Sequence, residues 1–189
     1  MFERLVSQKR QIKLMKSRFK AGVPQGMNKA LDLGCGDSPS NPSKAKEVFG
    51  VDFRANQDEN VVAADLARDP IPFADENFDV VTAYDFLEHI PRVNLEKNGS
   101  TFPFVNLMSE IHRVLVPGGV FYSLTPVFPA KEAFQDPTHV NIMSADTIRL
   151  YFCGVPWAAT YGFEKAFDWE FGGWVNGHHY SLIRKSSLS

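Results

Sequence analysis

The stretch Ala30-Leu31-Asp32-Leu33-Gly34-Cys35-Gly36-Asp37 constrains this chain more than any other. A short apolar run ends in an acid and then breaks into two glycines one residue apart. That pattern predicts a buried β-strand stopping at a turn. Glycine admits positive φ and carries no Cβ, so the backbone there can come close to a ligand. A helix following the turn would aim its free N–H groups into the same space. A nucleotide-like ligand is the first expectation.

The run-then-acid pattern recurs downstream. Residues 48–52 (Val-Phe-Gly-Val-Asp) read as a second strand ending in an acid, and residues 61–64 as a third, followed by Asp65. Residues 78–83 (Phe-Asp-Val-Val-Thr-Ala) read as a strong fourth strand. Between the first two strands a short helix is expected over 43–48, after Asn41-Pro42. A second helix is expected after the fourth strand, with Leu87 and Ile90 on its inner side. Residues 107–115 show clear helical periodicity, stopped by Pro117-Gly118-Gly119, and a fifth strand follows over 120–124. Residues 126–146, rich in Pro, Phe, Asp and His, read as an insertion over the strand ends. A helix over 145–152 comes next, then strands over 163–170 and 179–184 joined by an Asn176-Gly177 turn. The expectation is one α/β domain over 1–189 with a mostly parallel sheet, helices on both faces and an antiparallel hairpin at the last edge.

Composition narrows the classes. With 44% hydrophobic and 22% charged residues the chain is that of an ordinary globular protein, and its 16 phenylalanines suggest an aromatic-lined pocket. No apolar run is long enough to span a bilayer, so no membrane insertion is expected. The N-terminus lacks a signal-peptide core. Cys35 and Cys153 make no disulfide framework, and a reducing cytoplasm is the expected setting. Residues 1–20 hold seven basic side chains against Glu3, leaving 13 basic and 21 acidic residues, a net of −8, in the remainder. A body so charged should repel nucleic acid. Phe2, Leu5, Ile12, Met15 and Phe19 fall loosely on one face, so residues 1–27 read as an amphipathic helix and linker. Its basic face is a solvated surface or a contact for a phosphate-bearing or acidic partner.

Three acids, Asp32, Asp52 and Asp65, end three consecutive strands. In an open parallel sheet, strand carboxyl ends border the ligand crevice. One acid alone is ordinary loop chemistry; three in succession point to a site. Asp52 lies 20 residues beyond Asp32, a spacing that suits a carboxylate accepting from both hydroxyls of a ribose. Asp65 is placed to meet an adenine edge.

With these residues in hand, the chain resembles the class I S-adenosylmethionine-dependent methyltransferases, specifically the type 11 group. Leu31-Asp32-Leu33-Gly34-Cys35-Gly36 looks like the first family motif and Val51-Asp52 the second. Ala64-Asp65-Leu66, Ile71-Pro72-Phe73 and Phe78-Asp79-Val80-Val81 resemble the next regions. Leu87-Glu88-His89-Ile90 and the run from Glu110 to Gly119 resemble the later ones. The resemblance implies a Rossmann-like fold and S-adenosyl-L-methionine as cofactor, with S-adenosyl-L-homocysteine as product. It implies that Gly34, Cys35 and Gly36 cradle the methionine part and that Asp32 holds its amino group, directly or through water. Asp52 would bind the ribose, Phe53 would flank the adenine, and Asp65 with Leu66 would recognise it. Tyr84 and Asp85 would face the sulfonium. The chain departs from the first motif at its third small position, which is Pro39. A nicotinamide dehydrogenase is the competing reading, but the third glycine of G-x-G-x-x-G is missing. Asp32 and Asp37 would also repel a pyrophosphate, whereas a sulfonium zwitterion tolerates them.

Methyl transfer from a sulfonium is an in-line displacement that asks mainly for alignment in a dry pocket. A base is needed only where the acceptor must lose a proton. Asp85, Glu88, His89, Asp136 and His139 are the candidates on the acceptor side, with Asp85 and His139 as candidate catalytic groups and residues 126–146 as the roof. His112 reads as structural. A metal site joining His139 to His178-His179 lacks ligands at metal spacing, so no metal is expected. There is no Asp/Asn-Pro-Pro-aromatic motif after the fourth strand and no Pro-Cys nucleophile. Together with the acidic body, this makes a small-molecule acceptor the expected partner. An RNA-directed enzyme using the basic N-terminal helix, or an inactive cofactor-binding regulator, is the alternative.

Overall fold

The apolar runs that end in acids form strands β1 (Lys29–Leu33), β2 (Glu47–Asp52), β3 (Val61–Ala63) and β4 (Phe78–Tyr84) of the computed structural model. It describes residues 27–55 and 57–187; the expected N-terminal helix, residues 1–20, lies outside the described residues. After β4 come a 3-10 turn (Leu87–His89) and a small hairpin, β5 (Asn94–Glu96) and β6 (Gly99–Thr101). Helix α1 (Pro103–Val114) leads directly into the long strand β7 (Leu115–Phe128). A short helix α2 (Glu132–Gln135), strand β8 (Met143–Ser144), helix α3 (Thr147–Phe152) and a 3-10 turn (Trp157–Tyr161) follow. The chain closes on β9 (Phe167–Val175) and β10 (His178–Lys185).

The sheet order is β3-β2-β1-β4-β7-β10-β9, with β8 added beside β7. Strands β3, β2, β1, β4 and β7 are parallel, and β10 runs antiparallel to both β7 and β9. This is the mixed α/β architecture expected from the sequence, antiparallel edge included. The order reverses between β1 and β4, whose registers align Leu33 with Ala83.

Successive strand residues point to opposite faces, and here both faces are apolar. One core joins Leu31, Leu33, Val81, Ala83, Phe121 and Ile183 to Leu107, Met108 and Ile111 of α1. The other joins Ala30, Val80, Val120, Tyr122, Tyr180 and Leu182. Helix α1 begins with Pro103, whose missing N–H costs nothing at a helix start. Its last turn carries Arg113, which bonds Glu110, Asp75 and the carbonyls of Ile71 and Phe73. Among the described residues no helix is long and apolar enough to cross a membrane.

Two expected helices are absent. Residues 34–46 run as a loop because Asn41 clamps Ala45 from both sides: its Oδ1 accepts from the Ala45 N–H and its Nδ2 donates to the Ala45 carbonyl, each at 2.9 Å. Such side-chain bonds compete with helical ones, and Lys44 takes φ +57°. After β4 only the 3-10 turn forms, since Pro91 holds Ile90 in an extended conformation. The fifth strand runs beyond 120–124 in both directions, and the first hairpin strand starts at Phe167 rather than 163. The excursion expected over 126–146 starts later, because Pro126 to Phe128 still belong to β7 and Val127 pairs with Met143.

His112 proves structural, as expected. It is 3% exposed and packs against the rings of Phe163 and Phe167. Burial, with the nearby charges of Lys185 and Lys165, pushes its pKa down to about 4. The folded protein therefore keeps this ring neutral while the unfolded chain takes up a proton below about pH 6.5. Stability from this residue is complete above pH 6.5 and is lost as pH falls towards 4, by about 3 kcal/mol in all. Denaturant titrations between pH 7 and 4 should show a shallower loss for His112→Phe than for the parent; equal slopes would exclude His112 as the source.

Candidate functional site

In open α/β sheets, the reversal of strand order opens a crevice at the strand carboxyl ends. Here that place lies between β1 and β4, and the glycine turn sits there. Gly34 and Gly36 adopt φ +68° and +66°. The Gly34 and Cys35 N–H groups donate to the Val51 carbonyl at 2.8 and 3.3 Å, tying the turn to the end of β2. A Cβ on Gly34 would stand 2.5 Å from the Phe86 ring, so only glycine admits that ring. Among the described residues, the nearest atom to a Cβ on Gly36 would be Arg54 Nη2 at 3.5 Å, an ordinary contact, so the turn is less crowded there than at Gly34. Cys35 lies over Gly50, and burial together with the charges of Asp32 and Asp52 pushes its thiol up to about 11. It is an inert filler rather than a nucleophile.

Asp32 is buried, at 3% exposure. Its Oδ2 accepts from the Ser40 N–H at 2.8 Å and its Oδ1 from Thr82 Oγ1 at 2.7 Å. Burial raises its pKa against these bonds. Oδ2 thus holds the 34–46 loop over the strand end, while Oδ1 is tied to β4. Asp52 stitches the turn from the other side: Oδ2 accepts from the Gly36 N–H at 3.0 Å, and Oδ1 from Arg54 N and Nε at 3.1 and 2.9 Å. Burial works to raise its pKa, but the bonds from Arg54 and Gly36 prevail and hold the carboxyl below its usual range. Phe53 beside it is 74% exposed, with the Arg54 guanidinium 5.6 Å from its ring centre. Asp65 ends β3 half-exposed, accepting from the Ala67 N–H and pairing loosely with Arg68, while the Leu66 side chain is core. Leu66 therefore has only its backbone to offer a ligand.

At the end of β4, Tyr84 packs against Tyr122, and burial raises its hydroxyl pKa. Asp85 follows at φ +47°, its N–H on the Leu124 carbonyl at 2.9 Å and its carboxylate 3.1 Å from His178 Nε2. The C-terminal hairpin thus reaches the crevice rim.

A second cluster lies on the next turn. Glu88, 1% exposed, accepts from Thr125 Oγ1 at 2.7 Å through Oε2. Its pKa is raised by burial. His139 brings Nε2 to 4.0 Å from Glu88 Oε1, and its ring meets that of His89 at 4.9 Å. Asp136 stands off from this cluster: its Oδ1 accepts from the Thr138 N–H and Oγ1 at 2.8 and 2.6 Å, shaping the loop that presents His139. His139 is grouped with Glu88 and His89 and not with His178 or His179; His178 goes to Asp85, and His179 lies against Trp174. Next to this loop is an apolar pocket of about 610 Å³, lined by Arg92, Phe102, Phe128, Met143, Tyr151 and Tyr161 among others. Arg92 Nε donates to Asn141 Oδ1 at 2.7 Å, joining pocket and loop.

Sequence reasoning passed over Thr82, Thr125, Phe86 and Arg54. Three of them act through partners 37 to 52 residues distant in sequence, which no local pattern reveals; Arg54 lies two residues from Asp52, and its charge was a usable signal.

Residues 31–123 match the family described as Methyltransferase domain. A curated Mycolicibacterium smegmatis (strain ATCC 700084 / mc(2)155) protein named as a probable S-adenosylmethionine-dependent methyltransferase is 29% identical over 133 residues, 61% of this chain and 46% of that protein. The chain thus spans about half the length of the curated relative it matches. Among solved structures, it is similar to a chain from the complex between the Haloferax volcanii Trm112 methyltransferase activator and a methyltransferase. The TM-score is 0.59 with 13% identity, covering 87% of this chain and 84% of that one. It is also similar to the N-methyltransferase NodS from Bradyrhizobium japonicum WM9, solved with S-adenosyl-l-homocysteine. There the TM-score is 0.57 with 12% identity, covering 94% and 86%.

Proposed function

Because the chain belongs to the class I S-adenosylmethionine-dependent methyltransferases of the type 11 group, we propose that it transfers a methyl group to an oxygen or nitrogen of a small-molecule acceptor. The observation that carries this reading is the joining of Asp52 to the Gly36 N–H at the switch point. A carboxylate there suits hydroxyl and ammonium donors and opposes a pyrophosphate. The turn around Gly36 also leaves room for a close backbone approach, so the residues present fit the family's cofactor.

When bound, the sulfonium supplies an electrophilic methyl group and leaves as a neutral thioether. The chain's own residues hold it. Asp52 accepts the ribose hydroxyls in competition with Arg54, Phe53 covers the adenine face, and Asp65 with the Leu66 backbone meets its edge. Gly34, Cys35 and Gly36 take the methionine part, and Asp32 acts on the amino group through water and the Ser40 loop it holds. Tyr84 and Asp85 border the sulfonium end. Asp85 is exposed and is the group set to take a proton from the acceptor, while Glu88, His89 and His139 meet the acceptor under a roof formed by the excursion after β7. The neighbouring apolar pocket suits an acceptor with a ring or aliphatic portion. The acidic body disfavours nucleic acid, and the cytoplasm is the setting this chemistry suits.

Calorimetry with S-adenosylmethionine, S-adenosylhomocysteine and NAD tests the reading. Micromolar binding of the first two and none of NAD is expected; the reverse overturns it. Asp52→Ala should weaken S-adenosylmethionine binding by about 1–3 kcal/mol, through loss of charge-assisted hydrogen bonds. An unchanged affinity would move the ribose elsewhere.

A further inference from the structure

We propose that Glu88, His89 and His139 bind one divalent cation of the zinc–manganese–iron class at the acceptor side of the crevice. The inference deepens the methyltransferase reading above and rests on it for the cation's use, though not for its binding. One ligand atom from each residue lies within 4.8 Å of the other two. The 3-10 turn after β4 supplies two of them in succession, and the excursion after β7 supplies the third.

Glu88 is the first reason to expect an ion. It is 1% exposed, and among the described residues its Oε1 has no hydrogen-bond partner. Leaving a buried carboxylate oxygen bare is costly, and His139 Nε2, which faces it at 4.0 Å, is too far to hydrogen-bond it. His139 Nδ1 is 3.3 Å from the Ala133 carbonyl, which can only accept, so Nδ1 carries a hydrogen and Nε2 is the ring nitrogen turned towards Glu88 Oε1. His89 Nδ1 lies 3.1 Å from Thr138 Oγ1, whose own hydrogen goes to Asp136 Oδ1, and 3.3 Å from the Thr138 carbonyl, so both neighbours accept from it. Metal-ligating histidines are held in this way, one ring nitrogen donating to a carbonyl and the other free for the metal. Thr125 does the equivalent for Glu88 by fixing Oε2 and leaving Oε1 to project.

The ligand-bearing segments are also tied to each other independently of their side chains. The Glu88 carbonyl accepts from the Val140 and Asn141 N–H groups, both at 2.9 Å. Asn141 Nδ2 donates to the Leu87 carbonyl at 3.1 Å. Around a cation with bonds of about 2.1 Å, ligand atoms stand roughly 3.0–3.4 Å apart, so separations of 4.0 to 4.8 Å close by about 0.6–1.8 Å on binding. Two imidazoles and one carboxylate suit zinc, manganese or iron better than calcium, and three protein ligands leave a position open. An acceptor hydroxyl in that position becomes more acidic. During transfer the S–CH3 bond breaks, an O–CH3 bond forms and the hydroxyl proton passes to Asp85 and from there to solvent. His139 then serves as a ligand rather than as the base expected from the sequence.

The test uses the full chain, stripped of metal and without S-adenosylmethionine. Calorimetric titration with Zn²⁺, and Mn²⁺ binding followed by electron paramagnetic resonance, should each show one site. Affinity should fall by about 100-fold or more in His139→Ala and in Glu88→Gln. Should Glu88→Gln fail to fold by circular dichroism, His89→Ala should show the same loss. No saturable binding by the parent, or undiminished binding by His89→Ala and His139→Ala, overturns the site and leaves a neutral carboxyl–imidazole pair. Cation binding without S-adenosylmethionine binding would instead spare this site and overturn the methyltransferase reading.

Discussion

Gly34→Ala should lower S-adenosylmethionine affinity by about 30- to 1,000-fold, the loss that corresponds to roughly 2–4 kcal/mol. The added Cβ would lie 2.5 Å from Phe86 Cδ2 and 2.8 Å from its Cγ, in a residue at φ +68°. Left-handed backbone costs a non-glycine residue about 1–2 kcal/mol, and overpacking adds about 1–3. Either Phe86 moves or the turn does, and each displaces the floor of the crevice. Gly36→Ala is the control: φ is similar, but the nearest atom is the far end of Arg54 at 3.5 Å. Its thermal stability should change less than that of Gly34→Ala, while its added methyl still blocks the cofactor. Calorimetry and thermal denaturation read the two effects separately. Parental affinity in Gly34→Ala would place the cofactor away from this turn.

Phe163→Ala should cost about 3–5 kcal/mol of stability. Phe163 is fully buried and meets Phe152 edge-on at 5.1 Å, Phe167 stacked at 6.0 Å and His112 at 6.5 Å. The cluster sits at the opposite end of the parallel strands from the crevice: Phe167 pairs with Lys185, whose Nζ bonds the Leu115 carbonyl, and Leu115 pairs with Phe78 at the start of β4. The variant should therefore melt about 10 °C lower and bind S-adenosylmethionine with parental affinity at low temperature. A fall in affinity comparable to the fall in stability would show that the two ends are coupled.

What could be read from the sequence was what local chemistry dictates. The apolar runs before Asp52 and Asp65, and the run that holds Asp32, are parallel strands, and these acids mark the crevice side. The spacing of Leu107, Met108 and Ile111 identifies a helix whose inner face they form, and Asn176-Gly177 identifies a hairpin. The turn bears this out, with φ +48° and +80° at those two residues. What could not be read was set by distant partners. Residues 43–48 look helical until Asn41 is seen gripping Ala45. Asp32 looks free to meet the cofactor's amino group until Thr82, 50 residues away, is seen on one of its oxygens, which leaves the route through water. The grouping of Glu88 with His139 depends on β7, the excursion after it and the turn after β4 meeting in space, which no spacing rule contains.

The placement of β10 between β7 and β9 also bears on how the protein is made. Strand β7 offers its free side from the moment it emerges until residues 178–185 arrive, more than 50 residues later. At about 5–20 residues per second, a nascent chain spends roughly 3–10 seconds with that side open. The exposed stretch, Val120-Phe121-Tyr122-Ser123-Leu124, is apolar, rich in strand formers and uncharged, the kind of edge that recruits other chains. Translation that stalls before Asn176 would leave this protein as an aggregation seed.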